Sequence, residues 1–164
     1  MVRFLDGVAH YLTRRYASGE KMKKEQEFYR ERTVGLLTNF QLLELSLKMY
    51  IGKSYDFIHA LVGDRIHFGF SIEDVENYPL ERLLNTFVKL NDNKELHKRL
   101  NKLRKQRNYI AHEALLVTIG NNPNMDTLHE KSLEFFELED ELSDCLKDLV
   151  AEFEKLHVKY VANA

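Results

Sequence analysis

The sequence predicts an all-α protein, and three observations carry that expectation. Only two prolines and seven glycines interrupt 164 residues, and good helix formers fill the stretches between them. Apolar residues recur along those stretches at spacings of four and three, the period of one helical face. Turn-forming residues separate the stripes, so several amphipathic helices must cover one another's apolar faces. The arrangement expected from this is an antiparallel four-helix bundle with an additional N-terminal helix.

Taken in order, residues 2–17 form a short helix with Phe4, Val8, Tyr11 and Leu12 on one face, and Ser18-Gly19 is its break. A long helical pattern runs from Lys21 to about Ile51. Its first half, to Arg32, is mostly charged. Its second half is strongly amphipathic, with Leu36, Phe40, Leu43, Leu47 and Tyr50 in the stripe. Glu44 and Lys48 are spaced for a weak surface pair. Gly52 is a stop for this helix, with a short helix following from Asp56 to Val62, unless the earlier helix continues through Gly52. Residues 63–70 read as a loop.

Ser71 followed by Glu73 and Asp74 has the form of an N-cap with acids in the first turn. Pro79 suits a first helical position, and Leu80, Leu83, Leu84, Phe87 and Leu90 follow it. Asn91-Asp92-Asn93 ends that helix and caps the next, which carries Leu96, Leu100, Leu103, Arg107 and Ile110. Gly120-Asn121-Asn122-Pro123-Asn124 is the clearest loop. Asp126 opens a last long helix to about Ala162, with a stripe from Leu128 through Phe135, Leu142 and Leu149 to Leu156. The domain reading is an N-terminal helical extension over 1–33 and a helical bundle over 34–164, long enough to bury roughly 70% of its unfolded surface.

Net charge is -2 and says little about partners, but its distribution is informative. Seven basic residues lie between Lys94 and Arg107 against Glu95 alone, and ten acids lie between Glu130 and Glu154 against Lys131 and Lys147. The fold is therefore expected to have a basic side and an acidic side. The acidic helix either meets the basic helix of its own subunit or a basic partner, or presents a solvated face. Cys145 is the one cysteine, so no intrachain disulfide forms and a reducing compartment is indicated. Its place near an apolar face makes it core. The N-terminus lacks a signal-peptide pattern and no run of about 18 apolar residues occurs. The expected location is cytoplasmic, without membrane contact.

The residues with chemical potential lie at Arg107-Asn108-Tyr109-Ile110-Ala111-His112. Arg107 occupies a position where the stripe calls for leucine. A buried, unpaired guanidinium is expensive, so it either snorkels out or pairs with Glu44, Glu113 or a C-terminal acid, or else finds an anion, a crevice or an interface. His112 can move a proton near neutral pH. It stands five residues on, about 140° around the helix, so the two do not share a face. Asn108 and His112 do. The basic run offers Lys98, Lys102, Arg104 and Lys105 as contacts for RNA phosphates, or as a solvated helix face. Tyr109 either stacks a base or packs on its own helix. His59, His67, His97 and His129 lack metal-ligand spacing, so neither metal nor cofactor is expected.

The bundle pattern and this hexapeptide resemble the HEPN superfamily, the higher eukaryotes and prokaryotes nucleotide-binding domains. The family's signature is Arg, four to six residues, then His, often with a polar residue directly after the Arg. Arg107, Asn108 and His112 meet it, and its frequent fuller form R-N-x-x-A-H is present letter for letter. The segment 38–51 is similar to the family's early core helix, and the likeness covers roughly residues 34–157.

The resemblance implies a bundle of HEPN type and a metal-independent endoribonuclease whose active site forms at a homodimer interface. It gives Arg107 the scissile phosphate, His112 the role of general acid or base, and Asn108 the positioning of either. RNA is the implied substrate, with 2′,3′-cyclic phosphate and 5′-hydroxyl ends. A toxin or phage-defence role and a neutralising protein partner are further implications. Ala114 stands where one toxin subset carries a tyrosine that its antitoxin modifies, so that form of regulation does not transfer. The alternatives are a non-catalytic module that binds a nucleotide, RNA or a partner protein, and a structural interaction protein using residues 20–32.

Overall fold

The computed structural model describes residues 2–112, 114 and 125–163, with side chains described over 19–112 (Asp64 excepted), at 114 and over 126–159. Among these residues the chain is all-helical, built from α1 (Val2–Val62), α2 (Leu80–Leu90), α3 (Lys94–His112) and α4 (Met125–Asn163). Two short 3-10 turns, Gly63–Arg65 and Glu73–Val75, interrupt the link from α1 to α2.

The four apolar stripes make one core. Leu36, Phe40, Leu43 and Leu47 of α1 meet Leu83 and Phe87 of α2, Leu100 and Leu103 of α3, and Phe135, Leu142 and Leu149 of α4, all buried. Each such side chain contributes about 1.5–3 kcal/mol relative to exposure. Cys145 is buried in the same core. Burial pushes its thiol up to about 12, the Arg99 guanidinium opposing.

α1 differs from expectation at Ser18-Gly19, and at Gly52 it follows the continuous alternative. No break occurs at Ser18-Gly19, and a single helix of 61 residues replaces the separate N-terminal helix. A lone glycine costs a helix about 1 kcal/mol and does not by itself end one. Nothing lies within 4 Å of where a Gly19 Cβ would stand. α1 also passes through Gly52, where the missing side chain serves packing. A Cβ there would stand 2.9 Å from Cβ of Ile72, so the returning link lies directly on the helix backbone. Tyr29, buried and stacked on Phe135 with ring centroids 5.1 Å apart, carries the core into the charged half of α1.

Helix directions correct the all-antiparallel expectation. α1 and α4 run parallel, since Arg32 meets Glu139 near one end and Tyr50 is joined through Asn91 to Glu152 near the other. α3 runs against α4, with Arg99 on Asp148 and Tyr109 near Lys131. α2 runs against α3, with Phe87 beside His97 and Glu81 paired to Arg104. Three helices thus point one way and α3 the other. The reason is the 63–79 link, which runs back along α1. Ile72 lies against Gly52, and Lys48 Nζ donates to the Glu76 carbonyl at 2.5 Å. α2 therefore starts level with Arg104 of α3 and runs in the direction of α1.

The Asn91-Asp92-Asn93 turn does what its sequence indicates. Asn91 Oδ1 accepts from the Asn93 N–H, and Asn93 Oδ1 accepts from the Leu96 N–H, capping α3. The Gly120–Asn124 loop and Glu113 lie outside the described residues, as do the side chains of Phe4, Val8, Tyr11 and Leu12.

Candidate functional site

α3 carries every candidate site residue, and its neighbours sort them. Three arginines turn inward, each toward a different helix. Arg99 meets Glu141 at 2.8 Å and Asp148 at 2.5 Å on α4. Arg104 pairs with Glu81 on α2. Arg107 reaches α1, where its Nη2 lies 3.4 Å from Glu44 Oε1. The guanidinium fork suits such fixed pairings better than an ammonium does. The acidic α4 therefore meets the basic helix of its own subunit through Glu141 and Asp148.

Arg107 is 35% exposed and Glu44 21%. The guanidinium is thus neither sealed in the core nor free, and one edge stays open to solvent. Glu44 is one of the acids that the sequence names for it. Lys48, spaced for Glu44, instead holds the Glu76 carbonyl.

His112 is the last residue of α3 and is exposed, as is Asn108 one turn before it. Both lie on the face turned away from the core. The structure brings Asn108 and His112 onto one surface and places Arg107 on another, about 140° around the helix from His112.

The remaining candidates divide. Lys98 and Lys105 are exposed on the outer face, Lys98 lying 3.3 Å from Glu95. Lys102 lines a cleft of about 160 Å³ between α3 and α4, together with Gln106, Tyr109, Glu134 and Phe135. Tyr109 is half-buried there, with the Lys131 ammonium 5.2 Å from its ring centroid. Its surroundings are those of a packing residue.

One polar cluster was not singled out from the sequence. Asn91 Nδ2 donates to Tyr50 Oη at 3.1 Å and to Glu152 Oε2 at 2.8 Å. Asn93 Nδ2 and Lys155 Nζ both donate to Glu152 Oε1. Burial alone would raise the Glu152 carboxyl, but the bonds from Lys155, Asn93 and Asn91 outweigh it and leave it below the ordinary glutamate value. The signal was the Asn-Asp-Asn turn, whose amides exceed what a cap requires. Nearby, His97 Nε2 is buried without a hydrogen-bond partner. Burial holds that imidazole below the usual histidine value.

Among the described residues no group of His, Cys, Asp and Glu has the arrangement of a metal site, and no helix is long and apolar enough to cross a membrane. Compared with family models, curated proteins and solved structures, the chain matches none.

Proposed function

We propose that this chain is a metal-independent endoribonuclease of HEPN type, acting as a homodimer. The observation that carries the reading is the presentation of the R-N-x-x-A-H segment. Arg107 keeps an open edge, and Asn108 and His112 stand exposed at the end of α3. A motif used only for packing has no need of an exposed imidazole beside an exposed amide.

In this reading two copies of α3 flank the RNA. That supplies what one straight helix does not, an arginine and a histidine on the same phosphate. One His112 takes the proton of the ribose 2′-hydroxyl as its oxygen attacks the adjacent phosphorus. The P–O5′ bond breaks, and the leaving oxygen takes a proton from the partner's His112. The products are a 2′,3′-cyclic phosphate and a 5′-hydroxyl. Arg107 bears the charge that develops on the non-bridging oxygens, and Asn108 orients the phosphate or the ring. DNA lacks the attacking hydroxyl and is not cleaved. A toxin or phage-defence role in the cytoplasm, under a neutralising protein partner, belongs to the same reading.

A second reading is favoured by the Glu44 pairing, which already neutralises Arg107. There the helix is an anion clamp in a non-catalytic module for RNA, a nucleotide or a partner protein. Oligonucleotide binding and cleavage, measured in parallel on wild type and Arg107→Ala, separate the two. Cleavage by wild type, lost with the arginine, supports the nuclease. Binding without turnover, lost with the arginine, supports the module.

A further inference from the structure

The outer face of α3 has an order that the number of basic residues does not reveal. Two rows run along it at seven-residue intervals, about 10.5 Å per step. One row is Lys98, Lys105 and His112; the other is Lys94, Asn101 and Asn108. All six side chains are exposed. They fall within about 80° of arc and span about 27 Å of helix. A row of two lysines and the motif histidine thus lies beside a row made mostly of amides, and both end at the motif.

Charge compensation on α3 is unequal. Its arginines are engaged by carboxylates of three different helices. On the outer rows Lys98 pairs with Glu95 of its own helix, both about three-quarters exposed, and such pairs hold weakly.

We propose that this face is a track for the backbone of single-stranded RNA, with Lys94, Lys98 and Lys105 neutralising phosphates and Asn101 and Asn108 hydrogen-bonding beside them, leading the strand to His112. The inference deepens the nuclease reading and rests on it for the choice of RNA. The rows contain no apolar residue, whereas a membrane-bound helix needs an apolar face and a protein interface an apolar or aromatic centre. Two such faces also repel one another when placed side by side, and a polyanion between them removes that repulsion.

The test uses a fluorescently labelled, fully 2′-O-methylated single-stranded oligoribonucleotide, which binds as RNA does but has no free 2′-hydroxyl to attack. Anisotropy titrations at several salt concentrations give the slope of log K against log salt. On a single strand, each phosphate left without its protein cation makes that slope shallower by about 0.7. The expected result for Lys98→Gln/Lys105→Gln is a slope shallower by about 1.4 for each α3 face that the strand follows, hence about 2.8 for a strand held between two subunits, with Lys147→Gln on α4 unchanged. An unchanged slope in the double variant overturns the track, as does an equal change in Lys147→Gln or an absence of binding by wild type. Cleavage of unmodified RNA is scored separately. A changed slope without cleavage leaves the track standing and removes the nuclease reading. Cleavage with an unchanged slope does the reverse.

Discussion

Arg107 and Glu44 face each other across the α3–α1 boundary at 3.4 Å, joining the motif helix to the longest helix of the molecule. The pair accounts for an arginine in an otherwise apolar stripe. It satisfies part of the guanidinium and leaves an edge for a second anion. Because both groups still touch water, the pair contributes at most about 1 kcal/mol to stability.

Arg107→Ala is therefore expected to unfold in urea with less than about 1 kcal/mol of lost stability, while RNA cleavage falls at least about 100-fold. Chemical denaturation and an initial-rate assay on the same preparation check this. A loss of several kcal/mol with unchanged cleavage reverses the assignment and makes Arg107 structural.

Gly35 and Gly52 should respond in opposite ways to the same substitution. Nothing lies within 4 Å of a Cβ at Gly35, so Gly35→Ala gains up to about 1 kcal/mol of helix propensity. At Gly52 the new methyl meets Ile72 at 2.9 Å. The link must move or strain, an overpacking cost of about 1–3 kcal/mol that cancels or exceeds the same propensity gain. Thermal melts of the two variants should move upward for Gly35→Ala and not for Gly52→Ala.

Asn91 joins Tyr50 of α1 to Glu152 of α4 through one amide. Asn91→Ala leaves the tyrosine oxygen and a buried carboxylate short of a donor. The expected cost is about 1–3 kcal/mol. Denaturant unfolding at neutral pH measures it.

His97 predicts an acid-side loss of stability. Its folded-state value is lowered by burial, with the carboxylates of Asp92 and Glu152 opposing. The folded protein therefore prefers the neutral ring beside Phe87. As pH falls below about 6.5 the unfolded chain takes up the proton first, and stability falls. Glu152 works in the same direction from lower pH, where the unfolded chain takes up a proton in the ordinary glutamate range while the folded carboxyl, held below it, does not. Melting temperatures at pH 7.5 and 5.5 should differ more for wild type than for His97→Phe.

The helices and their buried faces were legible in the sequence because periodicity reports burial directly. Leu36, Phe40, Leu43, Leu47 and Tyr50 are all buried as their spacing requires. Helix direction was not legible. Nothing local in residues 63–79 states that the link runs back along α1, and Gly52 has the same letter whether it ends a helix or receives Ile72. The inward pairing of Arg99 and Arg104 was hidden for a similar reason. A charge run gives the number of cations, while their partners depend on which helices become neighbours. Glu152 read as one more acid of a solvated face because burial of a carboxylate depends on donors sixty residues away. Asn108 and His112 were placeable together from their spacing of four, and Arg107 apart from them by the same geometry.

The most direct test of the nuclease reading is incubation of purified protein with total RNA and a labelled oligoribonucleotide in EDTA, comparing wild type with His112→Ala. The expected result is cleavage by wild type alone, leaving 2′,3′-cyclic phosphate and 5′-hydroxyl ends. Cleavage by His112→Ala at the wild-type rate would contradict it.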